Sequence, residues 1–345
     1  MSNQNVIRLT SQGSWENLAH FKEPIPTAGK HEVLIAVKSV ALNFRDIAIA
    51  TGKYPFPVKK NVVPGSDAAG DVVETGEGVS GFKLGDKVIV AFDPTTLYGP
   101  IKNWGNGLGG PVDGVLQEYI SVPAQAVVKI PENSTLSYAQ WASVVCTGTT
   151  AWNSLYGNNP LKPGQTVLFQ GTGGVSITGL MLAKAAGAKT IITSSSDEKL
   201  QHVKAQYDVD YTINYKKTPD WAAETQKITG GQGVDFILEN GGSGTIKQSL
   251  DAIAYGGVIS VIGFLSAAKQ EEMPDVAGLA LAKGAVVRGI MVGSKQQTED
   301  VTRFIGTHNL SVAVEKTFKF GRDQVVEALN YLASGQHIGK VCIDL

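Results

Sequence analysis

The apolar run TVLFQ at 166–170 leads through Gly171-Thr172-Gly173-Gly174-Val175-Ser176 directly into GLMLAKAAGA at 179–188, whose apolar residues recur with helical spacing. A strand, a glycine turn and a helix in that order leave few possible folds. A parallel strand that delivers a pyrophosphate to the N-terminus of the next helix needs glycine at the first two fingerprint positions, here Gly171 and Gly173, for a tight turn and close backbone approach. Ser176 stands at the third position. A bare GxGxx is an ordinary turn signal; its place between strand and helix makes this one the opening unit of a dinucleotide-binding domain.

The alternation continues downstream. Strand-like runs at 190–195, 211–215, 234–240, 256–263 and 285–292, with a helical stretch from Asp197 to Gln206, predict a doubly wound parallel sheet over about 131–295. Upstream the texture differs. Short β-rich runs at 33–42, 68–76, 86–92, 116–122 and 126–131 predict a β-rich domain, with a helix starting near Asn43. Residues 93–114, rich in glycine and proline, form no regular element, and a loop of that length has a function or is mobile. The helical stretch YAQWASVVCTGTTAWNSLY follows Ser137, and the chain ends with a helix near 323–333 and a strand at 341–345. The expected domains are 1–130 with 296–345, and 131–295.

Composition narrows the function. The 345 residues carry 30 Lys and Arg against 31 Asp and Glu, so no basic excess recommends nucleic acid or an anionic membrane as partner. Two cysteines, Cys146 and Cys342, make no disulfide framework and fit a reducing compartment. No apolar stretch has the length of a membrane span, and the first ten residues lack a secretory apolar core, so a cytoplasmic protein is expected. The five histidines are scattered, His31-Glu32 is not a helical HExxH, and no CxxC cluster exists, so no metal is expected. Cys146 lies in an apolar helical stretch and reads as a small buried hydrophobe.

Cofactor choice rests on the end of the second strand of the nucleotide unit. An NAD site places a carboxylate there for the ribose hydroxyls; this chain has Thr193-Ser194-Ser195-Ser196, and Asp197 falls later, where it charges a helix start. Small hydroxyls with Lys199 suit a 2′-phosphate, so NADPH is the expected cofactor.

Several ordered blocks carry a wider likeness: ALNFRD at 41–46, VVPGSDAAGDVVETGEGV at 62–79, GDKVIV at 85–90, DGVLQEYISVP at 113–123, CTGTTAW at 146–152, QGTGGVS at 170–176, AKAAGAKTI at 183–191, SSSDEKL at 194–200 and HIGKVCI at 337–343. Through them the chain, from about residue 30 onward, resembles the medium-chain dehydrogenase/reductase superfamily, specifically its zinc-free quinone oxidoreductase-like branch. The resemblance implies a GroES-like β-rich catalytic domain beside a Rossmann domain. It sets Asn43 where zinc members have a ligand cysteine and Gly65-Ser66-Asp67 where they have Gly-His-Glu, and the loop 93–114 lacks the four cysteines of their structural site.

The NAD-selecting aspartate is matched by Ser195, and Lys199 and Tyr215 look like the pair that flanks a 2′-phosphate. The likeness further implies Asn43 beside the nicotinamide ribose and the substrate and Tyr54 at the substrate mouth. Gly263 and Val292 fall near the nicotinamide, and Lys340 is a cation for the cofactor phosphates. Thr150, Gly174, Val175, Asn240, Phe264 and Leu265 complete the implied cofactor set. The residues alone also allow a helix cap at Asn43 and a packed aromatic at Tyr54. Ile47-Ala48-Ile49 stands where the branch often has a second tyrosine.

The expected function is a zinc-independent, NADPH-dependent reduction of a quinone or an α,β-unsaturated carbonyl, in a homodimer joined near 285–292. An NADP(H)-dependent alcohol, aldehyde or ketone oxidoreductase, a non-catalytic NADPH-binding protein and a zinc enzyme with unusual ligands are the alternatives.

Overall fold

The apolar β-branched runs between 166 and 292 do form one sheet. The computed structural model describes residues 2–345, which divide into 2–149 with Val292–Leu345, and Thr150–Met291. In the second unit six parallel strands lie in the order Tyr211–Asn214, Lys189–Ser194, Thr166–Gln170, Val234–Glu239, Ile253–Val261 and Val286–Gly289. Counted along the chain this order is 3-2-1-4-5-6, the Rossmann arrangement. It reverses between Thr166–Gln170 and Val234–Glu239, and ligands of such sheets bind beyond the carboxyl ends of the strands at that reversal. Leu168, Ile191, Ile237 and Ile259 fill its core.

The first unit is built on a seven-stranded, mostly antiparallel sheet. Val314–Lys319, Lys340–Asp344, Glu32–Ala41, Asp67–Thr75, Lys87–Val90 and Val127–Lys129 follow one another, and Tyr119–Pro123 also pairs with Glu32–Ala41. The C-terminal strand thus lies inside the sheet, with Cys342 opposite Ala41. A hairpin of Asn3–Leu9 and Leu18–Pro24, not anticipated from the sequence, packs Val6, Ile7, Leu9 and Leu18 into the same core. No helix among the described residues is long and apolar enough to cross a membrane.

The boundary between units falls at 149/150 rather than at 130/131. The helix Tyr138–Ser143 packs on Glu32–Ala41 and Asp67–Thr75, burying Trp141 and Ala142 there. Helical spacing signalled that helix without revealing which sheet it covers. A five-residue π-turn, Val144–Gly148, then links it to the helix Thr149–Tyr156.

The glycine-rich stretch 93–114 is held by backbone contact. A Cβ on Gly114 would lie 1.9 Å from the carbonyl oxygen of Gly65, and Gly114 and Val115 donate their N–H groups to Val63 and Gly65 at 2.7 and 3.0 Å. This contact fixes the approach to Ser66 and Asp67. Gly114→Ala should therefore lower stability by about 2–4 kcal/mol, read as a shifted urea midpoint; an unchanged midpoint would show that the loop is free to move aside.

Candidate active site

The two fingerprint glycines serve different physical ends. Gly171 takes φ +76°, which an L side chain resists, whereas Gly173 has ordinary backbone angles and its missing Cβ would project into open space, leaving room for a ligand. The helix Gly174–Ala185 begins there, so its first N–H groups face that space. Ser176 replaces the third glycine because its Oγ donates to the Gln170 carbonyl at 2.8 Å. Close packing of helix on strand falls instead to Gly179, where a Cβ would sit 2.8 Å from the Phe169 ring.

Across the strand reversal, Asn240 Nδ2 donates to the Gln170 carbonyl and to Ser176 Oγ, both at 3.0 Å. The fully buried Glu239 carboxylate accepts from Gln170 Nε2, the Gly241 and Gly242 N–H groups and the Thr245 and Ser249 hydroxyls. Asn240 and Glu239 therefore brace the glycine turn. Glu239 was not singled out in the sequence, where an acid closing an apolar strand carries no mark of its role. Gly263 is glycine for a local reason too, since a Cβ would lie 2.4 Å from the Asn240 carbonyl oxygen; Phe264 and Leu265 after it are exposed.

At the end of Lys189–Ser194, Tyr215 N–H donates to the Ser194 carbonyl at 3.0 Å, and the Ser196 hydroxyl accepts from Lys199 N–H at 3.3 Å. Half-buried Ser195, Lys199 and the partly exposed Tyr215 are thus gathered at one strand end. Asp197 is turned to Lys217 and Asn214. Thr150 is buried within Thr149–Tyr156, where its carbonyl accepts from Ser154 Oγ at 2.8 Å.

In the first unit Asn43 stands at the N-cap of the helix Phe44–Ala50, its N–H donating to Asp46 Oδ2 at 2.8 Å. Its Oδ1 accepts from Lys340 Nζ at 2.6 Å, while its Nδ2 is buried without a hydrogen-bond partner. Lys340 was expected to reach cofactor phosphates; instead its ammonium is buried, donating to the Leu42 carbonyl at 2.6 Å and lying 3.9 Å from Asp67 Oδ2. Its side chain leaves the strand on the inner face of the sheet, where these oxygens hold it. Asp67 also accepts from Ser66 Oγ at 2.5 Å and from Cys146 N–H, in the π-turn, at 3.1 Å.

Burial pushes the Asp67 carboxyl above its ordinary range, against Lys340, Ser66, the Asn43 side chain and the Cys146 N–H, which favour its charge. Burial likewise raises Asp46 to about 6, opposed by the Asn43 N–H and the Arg45 and Lys340 charges and reinforced by Asp67. Tyr54 lies in the same unit among Phe56, Phe92 and Trp104, and its Oη accepts from Arg45 Nε at 3.0 Å. Val292 is buried and carries φ +48°, an outlier for a β-branched residue.

A family model described as an alcohol dehydrogenase GroES-like domain matches residues 29–132, and one described as a zinc-binding dehydrogenase matches 174–307. A zinc-type alcohol dehydrogenase-like protein of Schizosaccharomyces pombe is 42 % identical over 319 residues, covering 91 % of each chain. The chain belongs to the medium-chain dehydrogenase/reductase superfamily. A quinone oxidoreductase-like protein 2 homolog of Nematostella vectensis is 30 % identical over 92 % of this chain and 82 % of its own. The crystal structure of a putative alcohol dehydrogenase from Sinorhizobium meliloti superposes with a TM-score of 0.89 at 36 % identity, covering 100 % of both chains.

Zinc-type names among the relatives raise the question of a metal in this member of the superfamily. The residues do not fit one. Asn43 offers a neutral amide oxygen already taken by an ammonium, Ser66 spends its proton on Asp67, and the Lys340 cation sits where a second cation would meet direct repulsion.

Removing the Lys340 charge strands Asp67. Lys340→Met should cost about 3–5 kcal/mol in urea unfolding, and adding Asp67→Asn should recover most of it; a double variant no better than the single one would deny the pairing. Asp46 has its proton held more tightly folded than unfolded, so its contribution to stability is complete below pH 4 and is lost as pH rises through about 6. Asp46→Asn keeps the acceptor for Asn43 N–H and should gain about 3 kcal/mol on wild type between pH 4 and pH 7; parallel stability curves would contradict the raised value.

Proposed function

We propose that this oxidoreductase is a zinc-independent, NADPH-dependent reductase of a quinone or an α,β-unsaturated carbonyl. What supports this reading is the Lys340 ammonium, held by Asn43 and Asp67, two residues that the resemblance aligns with the Cys and Gly-His-Glu blocks around the Lewis-acid metal of zinc members. Without that acid, reduction of a simple ketone lacks a strong electrophile. Conjugated acceptors spread the incoming charge over several atoms and need only hydrogen-bond donors.

NADPH, when bound, supplies hydride. Gly171, Thr172, Gly173, Gly174 and Val175 cradle its pyrophosphate, and Ser195, Lys199 and Tyr215 receive the 2′-phosphate, a reading supported by the carboxylate-free strand end. Asn43 Nδ2 is a donor for a carbonyl oxygen, since Lys340 already claims the oxygen of that amide. Tyr54 is the second donor. We further propose a homodimer through Val286–Gly289, an edge strand that offers unpaired backbone groups on one side.

Purified protein should oxidise NADPH with quinones or enones in a chelator-insensitive reaction, followed at the nicotinamide absorbance. Turnover confined to simple alcohols and ketones, or abolished by chelation, would overturn the reading, and tight NADPH binding with no turnover across the panel would favour a binding protein. Ser195→Asp should weaken NADPH about tenfold or more relative to NADH through repulsion of the 2′-phosphate; an unchanged preference would remove the cofactor assignment.

A further inference from the structure

Arg45, two residues after Asn43, is held by aromatic rings rather than by an acid. Its guanidinium lies over the rings of Tyr54 and Phe92 at 5.0 and 4.9 Å, donates from Nε to Tyr54 Oη at 3.0 Å and from Nη1 to the Leu108 carbonyl at 2.7 Å. Nη2 is buried with no partner, and among the described residues no carboxylate forms an ion pair with Arg45. The loop makes room for it: a Cβ on Gly110 would lie 2.6 Å from Nη2, and one on Gly107 3.6 Å. A half-buried cation held by rings, one carbonyl and one phenol is costly unless the charge is used.

Hydrogen-bond directionality says how. A guanidinium only donates, so at the Arg45–Tyr54 contact the phenol oxygen must be the acceptor, and its own proton points elsewhere. No acceptor among the described residues takes that proton. The ring itself is fixed by Phe56 and Trp104, edge-on at 5.4 and 6.4 Å. We propose that Arg45 is a positioning residue which holds the Tyr54 hydroxyl as an outward donor to the oxygen that gains charge in the reduced substrate. The assignment rests on the reductase reading for the identity of that oxygen, though the Arg45–Tyr54 polarity stands without it. In the step concerned, hydride adds to the conjugated carbon, the carbonyl π-pair moves onto oxygen, and the Tyr54 O–H stabilises or protonates that oxygen before solvent restores the phenol.

Two readouts separate the proposal from the reading beneath it. Difference Raman spectra of wild type against Tyr54→Phe isolate the Tyr54 ring doublet, whose intensity ratio reports whether the phenol oxygen accepts or donates. That ratio should show acceptor character which falls in Arg45→Met and is kept in Arg45→Lys. Unchanged spectra in Arg45→Met overturn the positioning role even if no substrate is ever found. With a quinone or enone that wild type reduces, Arg45→Met should lower kcat about tenfold or more with the KM for NADPH unchanged, and Arg45→Lys should restore part of it. In a Tyr54→Phe background Arg45→Met should add nothing further. A full additional loss there, or unaltered kcat in the single variant, overturns the proposal, whereas a silent wild type with the expected Raman shift overturns only the reductase reading.

Discussion

A single ammonium organises the first unit. Lys340 enters on the last strand of the chain, is buried on the inner side of the sheet, and meets the Leu42 carbonyl, Asn43 Oδ1 and Asp67 there. Each partner is tied onward: Asn43 to the helix Phe44–Ala50 through Asp46, and Asp67 to Ser66 and to the π-turn through Cys146. A buried cation with one remote carboxylate is not an efficient source of stability. What it achieves is orientation, since an amide whose oxygen is claimed by an ammonium can present only its nitrogen to anything else.

The second unit is organised differently, around an open glycine turn at the strand reversal. That turn is left open by Gly173 and braced from beneath by Asn240 and Glu239, so its backbone amides stand on a rigid base. Rigid amides cost little to order when a ligand arrives, and they carry no net charge that would attract other polyanions.

Much of this was legible in the sequence, and the gaps have physical causes. The strand–glycine–helix order fixed the Rossmann unit because each piece is local, and the strand-end serines are read directly from their place after Thr190–Ile192. The N-terminal hairpin escaped notice because Gln4, Asn5 and Arg8 interrupt its apolar residues and find partners in Gln117, Glu118 and Asp113, more than 100 residues along the chain. Helix Tyr138–Ser143 was seen, yet the sheet it covers was not, because amphipathicity marks a buried face without naming what buries it. For Lys340 the residue was found and its direction misjudged: a strand places alternate side chains on opposite faces, and which face is inward depends on pairing with Glu32–Ala41, about 300 residues earlier. Arg45 was passed over, since its meaning arises only when Tyr54, Phe92 and two loop glycines close around it.

The interior position of the C-terminal strand also has a temporal consequence. Thr150–Met291 is one continuous segment and has all its strands as soon as it leaves the ribosome. The surrounding unit is split, and Ser39–Ala41 lack their neighbour until Lys340–Asp344 has been made. During synthesis the inserted unit can finish while Ser39–Ala41 of its host wait unpaired on one edge, so Lys340–Asp344 acts as the closing stitch of the first-made half.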